Sequence, residues 1–161
     1  MKRFAVLLLA LCLLLGCAAA EYHADEQTIL ILVELDQSDD VYEISYERMI
    51  NGQSVGGGGA SNADRSRLGY TRFGTREKDP LIDLILTTDD FPADADLDAF
   101  SLQLYVRTEP LISVDWDDPY VGTIPVKELL SFSVAYGHVY RVRLYGSAEE
   151  GYHAEFLGQT E

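Results

Sequence analysis

The chain has 161 residues, 47% of them hydrophobic, with 27 acidic against 12 basic side chains and a formal net charge of −15. The apolar fraction is too high for a disordered acidic chain, and the length suits a single domain. So negative a chain excludes nucleic acid as a partner, because phosphates are repelled. It also excludes adhesion of the protein surface itself to an anionic membrane.

Met1-Lys2-Arg3 gives a short positive start, and Phe4 to Leu15 is an almost unbroken apolar run. The run falls well short of the ~20 residues that a membrane-spanning helix needs. With basic residues before it and small residues after it, it reads as a secretory signal. Leu14-Leu15-Gly16-Cys17 resembles the lipobox of bacterial lipoproteins, although Leu15 fills a slot that more often holds a small residue. The resemblance implies cleavage before Cys17, a diacylglyceryl thioether on Cys17, and attachment to the extracytoplasmic face of the cell membrane, or to the outer membrane of a Gram-negative cell. Cleavage after Ala20, within an A-x-A pattern, is the alternative and gives a free secreted protein. Residues 1–16 are therefore assigned to the signal, 17–27 to a tether and 28–161 to one domain. After cleavage before Cys17 no free thiol remains for a disulfide, for catalysis or for a metal.

From Thr28 onward the pattern is strand after strand. Ile29, Ile31, Val33 and Leu35 alternate with a second apolar face at Leu30 and Leu32, which marks a central strand. Tyr42, Ile44 and Tyr46 share one face, opposite Glu43, Ser45 and Glu47, and Asn51-Gly52 then predicts a type I′ hairpin turn. Gly56 to Gly59 and the polar stretch to Ser66 read as a flexible loop. Strands are expected at 67–73 and 81–88, and the acidic run Asp89 to Asp98 reads as a loop. Phe100, Leu102, Leu104 and Val106 alternate cleanly along the next strand. Shorter strands at 112–116 and 121–126 precede a helical turn over 127–132 and a last hairpin.

Many short strands with turn signals between them predict an all-β sandwich or barrel. Val134, five intervening residues and Tyr140-Arg141-Val142-Arg143-Leu144 resemble the strand F corner of fibronectin type III and immunoglobulin-like domains. The resemblance implies an antiparallel sandwich in which the tyrosine hydroxyl bonds back to the preceding corner. The early-strand Trp of those domains is absent, the single Trp lying at 116. A lipocalin-like barrel is the alternative fold. Matching apolar faces in the last hairpin place Val142 opposite Phe156, Arg143 opposite Glu155 and Leu144 opposite Ala154.

Candidate chemistry is sparse. His138 and His153 fall on opposite parities of that hairpin, so they do not share a metal, and His23 lies in the tether. No serine stands in a G-x-S-x-G setting, and the glycine run lacks the G-K-[ST] ending of a phosphate loop. Asp94-Ala95-Asp96-Leu97-Asp98 opens like a calcium loop, but Ala99 and Tyr105 occupy the glycine and glutamate slots. Asp89, Asp90, Asp94, Asp96 and Asp98 remain a calcium candidate, with Asp115, Asp117 and Asp118 as a second acidic cluster. No cofactor is expected.

The expected function is a non-enzymatic binding or adhesion module of the cell envelope, by analogy with other sandwiches. A carrier of a small hydrophobic ligand, which needs the hollow barrel, and a hydrolase with an unrecognised site are the alternatives. Arg65, Arg67, Arg72, Arg76 and Lys78 gather half of the basic residues left after cleavage into one short stretch, with Tyr70 and Phe73 among them. Arginine presents a planar fork suited to carboxylates and phosphates. Residues 56–78, with Arg65, Arg67, Tyr70, Arg72, Phe73 and Arg76 foremost, are therefore the candidate contact for an anionic envelope polymer or an acidic protein patch. Pairing of these arginines with acids on neighbouring strands is the competing explanation.

Overall fold

The computed structural model describes residues 22–37, 39–71, 73–78, 80–110 and 120–160. The signal, Cys17, Arg72, the strand expected at 112–116, Trp116 and the acids at 115, 117 and 118 lie outside them. Eight strands run in chain order: β1 (Thr28–Gln37), β2 (Glu43–Ile50), β3 (Gln53–Ser61), β4 (Leu81–Thr87), β5 (Phe100–Arg107), β6 (Ile124–Ser131), β7 (His138–Ser147) and β8 (Gly151–Thr160). They form two four-stranded sheets, ordered β4-β1-β7-β8 and β3-β2-β5-β6, packed face to face. This is an all-β sandwich, and the lipocalin-like alternative is overturned because the sheets stay separate and do not close into a barrel. Neighbouring strands are antiparallel except β1 and β7, which run side by side in the same direction.

The alternation seen in the sequence sets the interior. Ile29, Ile31, Val33 and Leu35 of β1, Leu84 and Leu86 of β4, and Val142 and Leu144 of β7 meet Ile44, Leu102, Leu104 and Val106 of the second sheet. Leu102 and Leu104 are completely buried, each contributing about 1.5–3 kcal/mol relative to exposure. The second face of β1 is covered as well, since Leu30 and Leu32 pack with Val139, Ala24 and Leu81. Residues 22–27 thus lie against the sheet, where Asp25 O accepts the Thr28 amide at 3.0 Å. Asn51 and Gly52 have φ of 51° and 74°, the paired positive angles of a type I′ turn.

The last hairpin has the expected register, with Val142 opposite Phe156, Arg143 opposite Glu155 and Leu144 opposite Ala154. Arg143 Nη1 donates to Glu155 Oε1 at 2.8 Å. Phe156 shares the face of Val142 and stacks on Phe132 at 4.2 Å between centroids, but it stays 39% exposed at the margin of the core. Tyr140 makes the expected corner, its hydroxyl accepting the Ala135 amide at 2.9 Å.

Three local expectations fail. Gly56 to Gly59 are not a loop but part of edge strand β3, paired residue by residue with β2. Their missing side chains are replaced by those of neighbours: a Cβ on Gly58 would lie 2.5 Å from the Tyr46 hydroxyl, and one on Gly56 would lie 2.7 Å from Arg48 Nη2. Aromatic side chains laid over strand glycines stabilise an otherwise weak strand. Residues 127–132 are not helical, because Val126 and Leu130 point inward from β6. The register shift opposite Gln103 and Tyr105 hid that alternation. The strand expected at 67–73 is not found: residues 67–71 and 73 belong to neither sheet and lie in the crossover from β3 to β4.

Candidate functional site

That crossover, residues 62–80, forms a short arm at the pole of the sandwich where β1 ends and β2 begins. Its root is fixed to the core. Leu68 is buried and its amide donates to Val41 O at 2.7 Å. Gly69 has a φ of 73° and sits so close to Pro80 that a Cβ would lie 3.0 Å from the proline ring. Beyond the root the chain doubles back. Tyr70 and Arg76 form an antiparallel bridge, and the Glu77 amide donates to Gly69 O at 2.8 Å. Thr71 N donates to Thr75 O, and Gly74 N to Thr71 O, both at 2.8 Å. Phe73 is carried at the tip with 81% of its surface exposed.

Asp40, in the segment between β1 and β2, braces the arm. One carboxylate oxygen accepts Arg67 Nη1 at 2.9 Å and the other accepts the Tyr70 hydroxyl at 2.8 Å. The Arg67 guanidinium also lies over the Tyr70 ring, 4.1 Å from its centroid, a cation–π contact. The hydrogen bonds from Arg67 and Tyr70 hold the Asp40 carboxyl below its usual range. The bond to Asp40 in turn raises the Tyr70 phenol. Arg67 and Tyr70 are therefore parts of a brace and not presented groups.

Arg65 and Arg76 are exposed on the arm, and Arg65 holds a left-handed φ of 59°, uncommon for a residue other than glycine. Arg76, Glu77, Lys78 and Pro80 form one wall of a cleft of ≈ 540 Å³, facing Glu34, Leu35, Asp36 and Arg143. Arg143 is held between Glu155 at 2.8 Å and Glu34 at 3.8 Å. The cleft mixes both signs of charge, a lining suited to polar contacts rather than to an apolar ligand.

The histidines lie elsewhere. His23 and His138 line a second cleft, of ≈ 310 Å³, at the opposite pole, with Tyr22, Gln159 and Thr160. The sequence parity that separated His138 from His153 gave no sign that His23 approaches His138. His153 Nδ1 is 2.7 Å from Glu128 Oε1 on β6. Three acids of the run 89–98 are engaged in local structure. Asp90 accepts the Thr87 amide at 2.7 Å, Asp96 accepts the Asp98 amide at 3.2 Å, and Asp98 accepts the Ser133 hydroxyl. Among the described residues no three His, Cys, Asp or Glu side chains converge in a way that could hold a metal ion.

The structure thus brings Arg67 and Tyr70 together on Asp40, places Phe73 at the tip, and sets Arg65 and Arg76 on the flanks. Asp40 was missed in the sequence because it lies 27 and 30 residues before its partners. Comparison with known proteins finds no matching family model, no matching curated protein and no matching solved structure.

Proposed function

We propose that the protein is a non-enzymatic binding module of the cell envelope, lipidated at Cys17, whose arm over residues 65–78 grips an anionic envelope polymer. The observation that carries this is the placement of the arm at the pole opposite the one where the chain enters β1. A strand the length of β1 (Thr28–Gln37) spans about 33 Å at ~3.3 Å per residue. Because residues 22–27 lie on the sheet, only residues 17–21 are left as a spacer from the lipid, a reach of at most ~18 Å. The entry pole then faces the membrane and the arm faces away from it. Asp89, Asp94, Asp96 and Asp98 belong to the entry pole and are repelled by anionic lipid, while Arg65, Arg76 and Phe73 stand at the far end. A rigidly rooted, exposed aromatic flanked by guanidinium groups suits a polymer that offers both an anion and an apolar face.

Two measurements test this. Cys17→Ser should release the protein from the membrane fraction, and a mature N-terminus found at Glu21 contradicts the anchor. The triple variant Arg65→Ser, Phe73→Ser, Arg76→Ser leaves the Asp40 brace intact and should abolish retention on purified envelope polymer. Unchanged retention rules out the arm.

A further inference from the structure

Each sheet has two edges, and the four differ in how they are guarded. Exposed edges template pairing with other chains, and natural proteins blunt them with charge, proline, bulges or cover. β6 carries Pro125, Lys127 and a register shift. β8 is met by Glu128, whose Oε2 accepts the Ala154 amide at 2.9 Å, and β4 carries the exposed Asp83. β3, at the edge of its sheet, has neither charge nor proline. Its bulge lies near its start, and the pairing with β2 from Gly56 to Ser61 is regular.

The glycines of β3 expose more than backbone. Each one cradles the polar end of a neighbouring side chain: Arg48 at Gly56, the Tyr120 hydroxyl at Gly57, the Tyr46 hydroxyl at Gly58 and the Glu43 carboxylate at Gly59. A strand added outside β3 would meet no side chains from Gly56 to Gly59, only main-chain donors and acceptors with these groups above and below. We propose that Gly56–Ser61 is a strand-addition site for an extended, basic peptide segment of another polypeptide.

Backbone pairing identifies the ligand as a peptide, and charge selects among peptides. Glu47, on the outer face of β2, lies beside Gly57; Glu43, beside Ser61, is ion-paired with Arg107 at 2.9 Å, so Glu47 is the acidic group that bears on the choice. The chain's net charge of −15 opposes pairing with a second copy. A lysine of the incoming strand would face Glu47, and the bare glycines leave room for it. This site is independent of the arm and of the lipid anchor.

The test uses the full chain and a synthetic strand-forming peptide of about ten residues that alternates lysine with threonine and valine. Binding should be saturable and should slow amide exchange by roughly tenfold or more across Gly56–Ser61, as new main-chain pairing requires. N-methylation of alternate amides along one edge of the peptide should abolish binding. Replacing its lysines by glutamate should weaken binding roughly tenfold. The exposed substitutions Ser54→Lys and Ser61→Lys together should also weaken it while leaving the urea midpoint unchanged. No binding at millimolar peptide, binding indifferent to N-methylation, or protection confined to other strands would overturn the proposal. So would a concentration-dependent dimer protected at β3, which would make a second copy the occupant.

Discussion

At the flank where β6 faces β8, the two sheets are joined by an exposed clasp, whereas at the flank where β3 faces β4 the joint is an ion pair between a buried arginine and a half-buried carboxylate. The clasp is Glu128, which takes His153 Nδ1 at 2.7 Å and the Ala154 amide at 2.9 Å. Lys127 adds contacts to Glu150 O at 2.8 Å and to His153 Nε2 at 3.1 Å. On the other flank Arg48, only 5% exposed, pairs with Asp90 just beyond β4. Its guanidinium also lies 5.7 Å from the centroid of the Phe91 ring. Thr87 holds the same carboxylate through its amide at 2.7 Å and its hydroxyl at 3.0 Å.

The two flanks leave their edge strands with different freedom. Glu128 reaches across to the backbone of β8 and takes the Ala154 amide of that edge in closing the flank. Arg48 reaches inward beneath Gly56 and closes the opposite flank from inside, which leaves the outer edge of β3 without a strand partner among the described residues. An ion pair placed inside needs room, and the glycine without a side chain provides it.

Breaking the pair of Arg48 and Asp90 should have the largest effect. Arg48→Met removes one charge and leaves Asp90 uncompensated, which typically costs ~3–5 kcal/mol. The lower end is expected here because Asp90 is 30% exposed and Thr87 still holds its carboxylate, and urea unfolding measures it. Adding Asp90→Asn should recover part of the loss; no recovery would mean that Arg48 matters for packing and not for charge.

A smaller effect is expected from Gly58→Ala, whose new Cβ would sit 2.5 Å from the Tyr46 hydroxyl and 2.7 Å from its ring carbon. Overpacking of this kind costs about 1–3 kcal/mol, and a cost near zero would show that Tyr46 swings clear. Tyr46 fluorescence or ring chemical shifts separate the two outcomes.

The exposed clasp should matter least. Glu128→Gln should lose no more than ~1 kcal/mol, since solvent screens a pair so exposed. Its pH dependence follows from the same contacts. Burial raises the Glu128 carboxyl, but the hydrogen bonds from His153 and the Ala154 amide outweigh burial and hold it below its usual range. A depressed carboxyl contributes stability above its unfolded value and loses that contribution as pH falls through the folded value. Asp90 behaves alike: burial raises it, and bonds from Thr87 and Arg48 more than reverse that. Acidification through the carboxylate range should therefore loosen both flanks. Glu128→Gln should flatten the acid limb slightly and Asp90→Asn should flatten it more; equal slopes would erase the distinction between the flanks.

The strands themselves were legible because a period of two states which face is buried. β1, β2, β4, β5 and the β7–β8 hairpin follow from alternation, and the hairpin register follows because a one-residue slip would bury Arg141 and Arg143. Tyr140 was legible through its spacing from the corner. The glycine strand was not. Composition assigns a run of glycines to a loop, and Tyr46, Tyr120, Arg48 and Glu43, placed by other elements, fill the space that makes it a strand. Arg48 carried a sign of its role, since it continues the inward face of Ile44 and Tyr46, but its partner Asp90 is 42 residues on.

For the arm, the sequence alone determined that cations and aromatics cluster between 65 and 78. Tertiary structure decided where each of them sits, because Asp40 engages Arg67 and Tyr70 while Phe73 is exposed at the tip. Local patterns are set by chain geometry, which repeats every two residues and is written in the sequence. Which groups pair across 27 or 42 residues depends on where two sheets bring their ends together, and no local period records that.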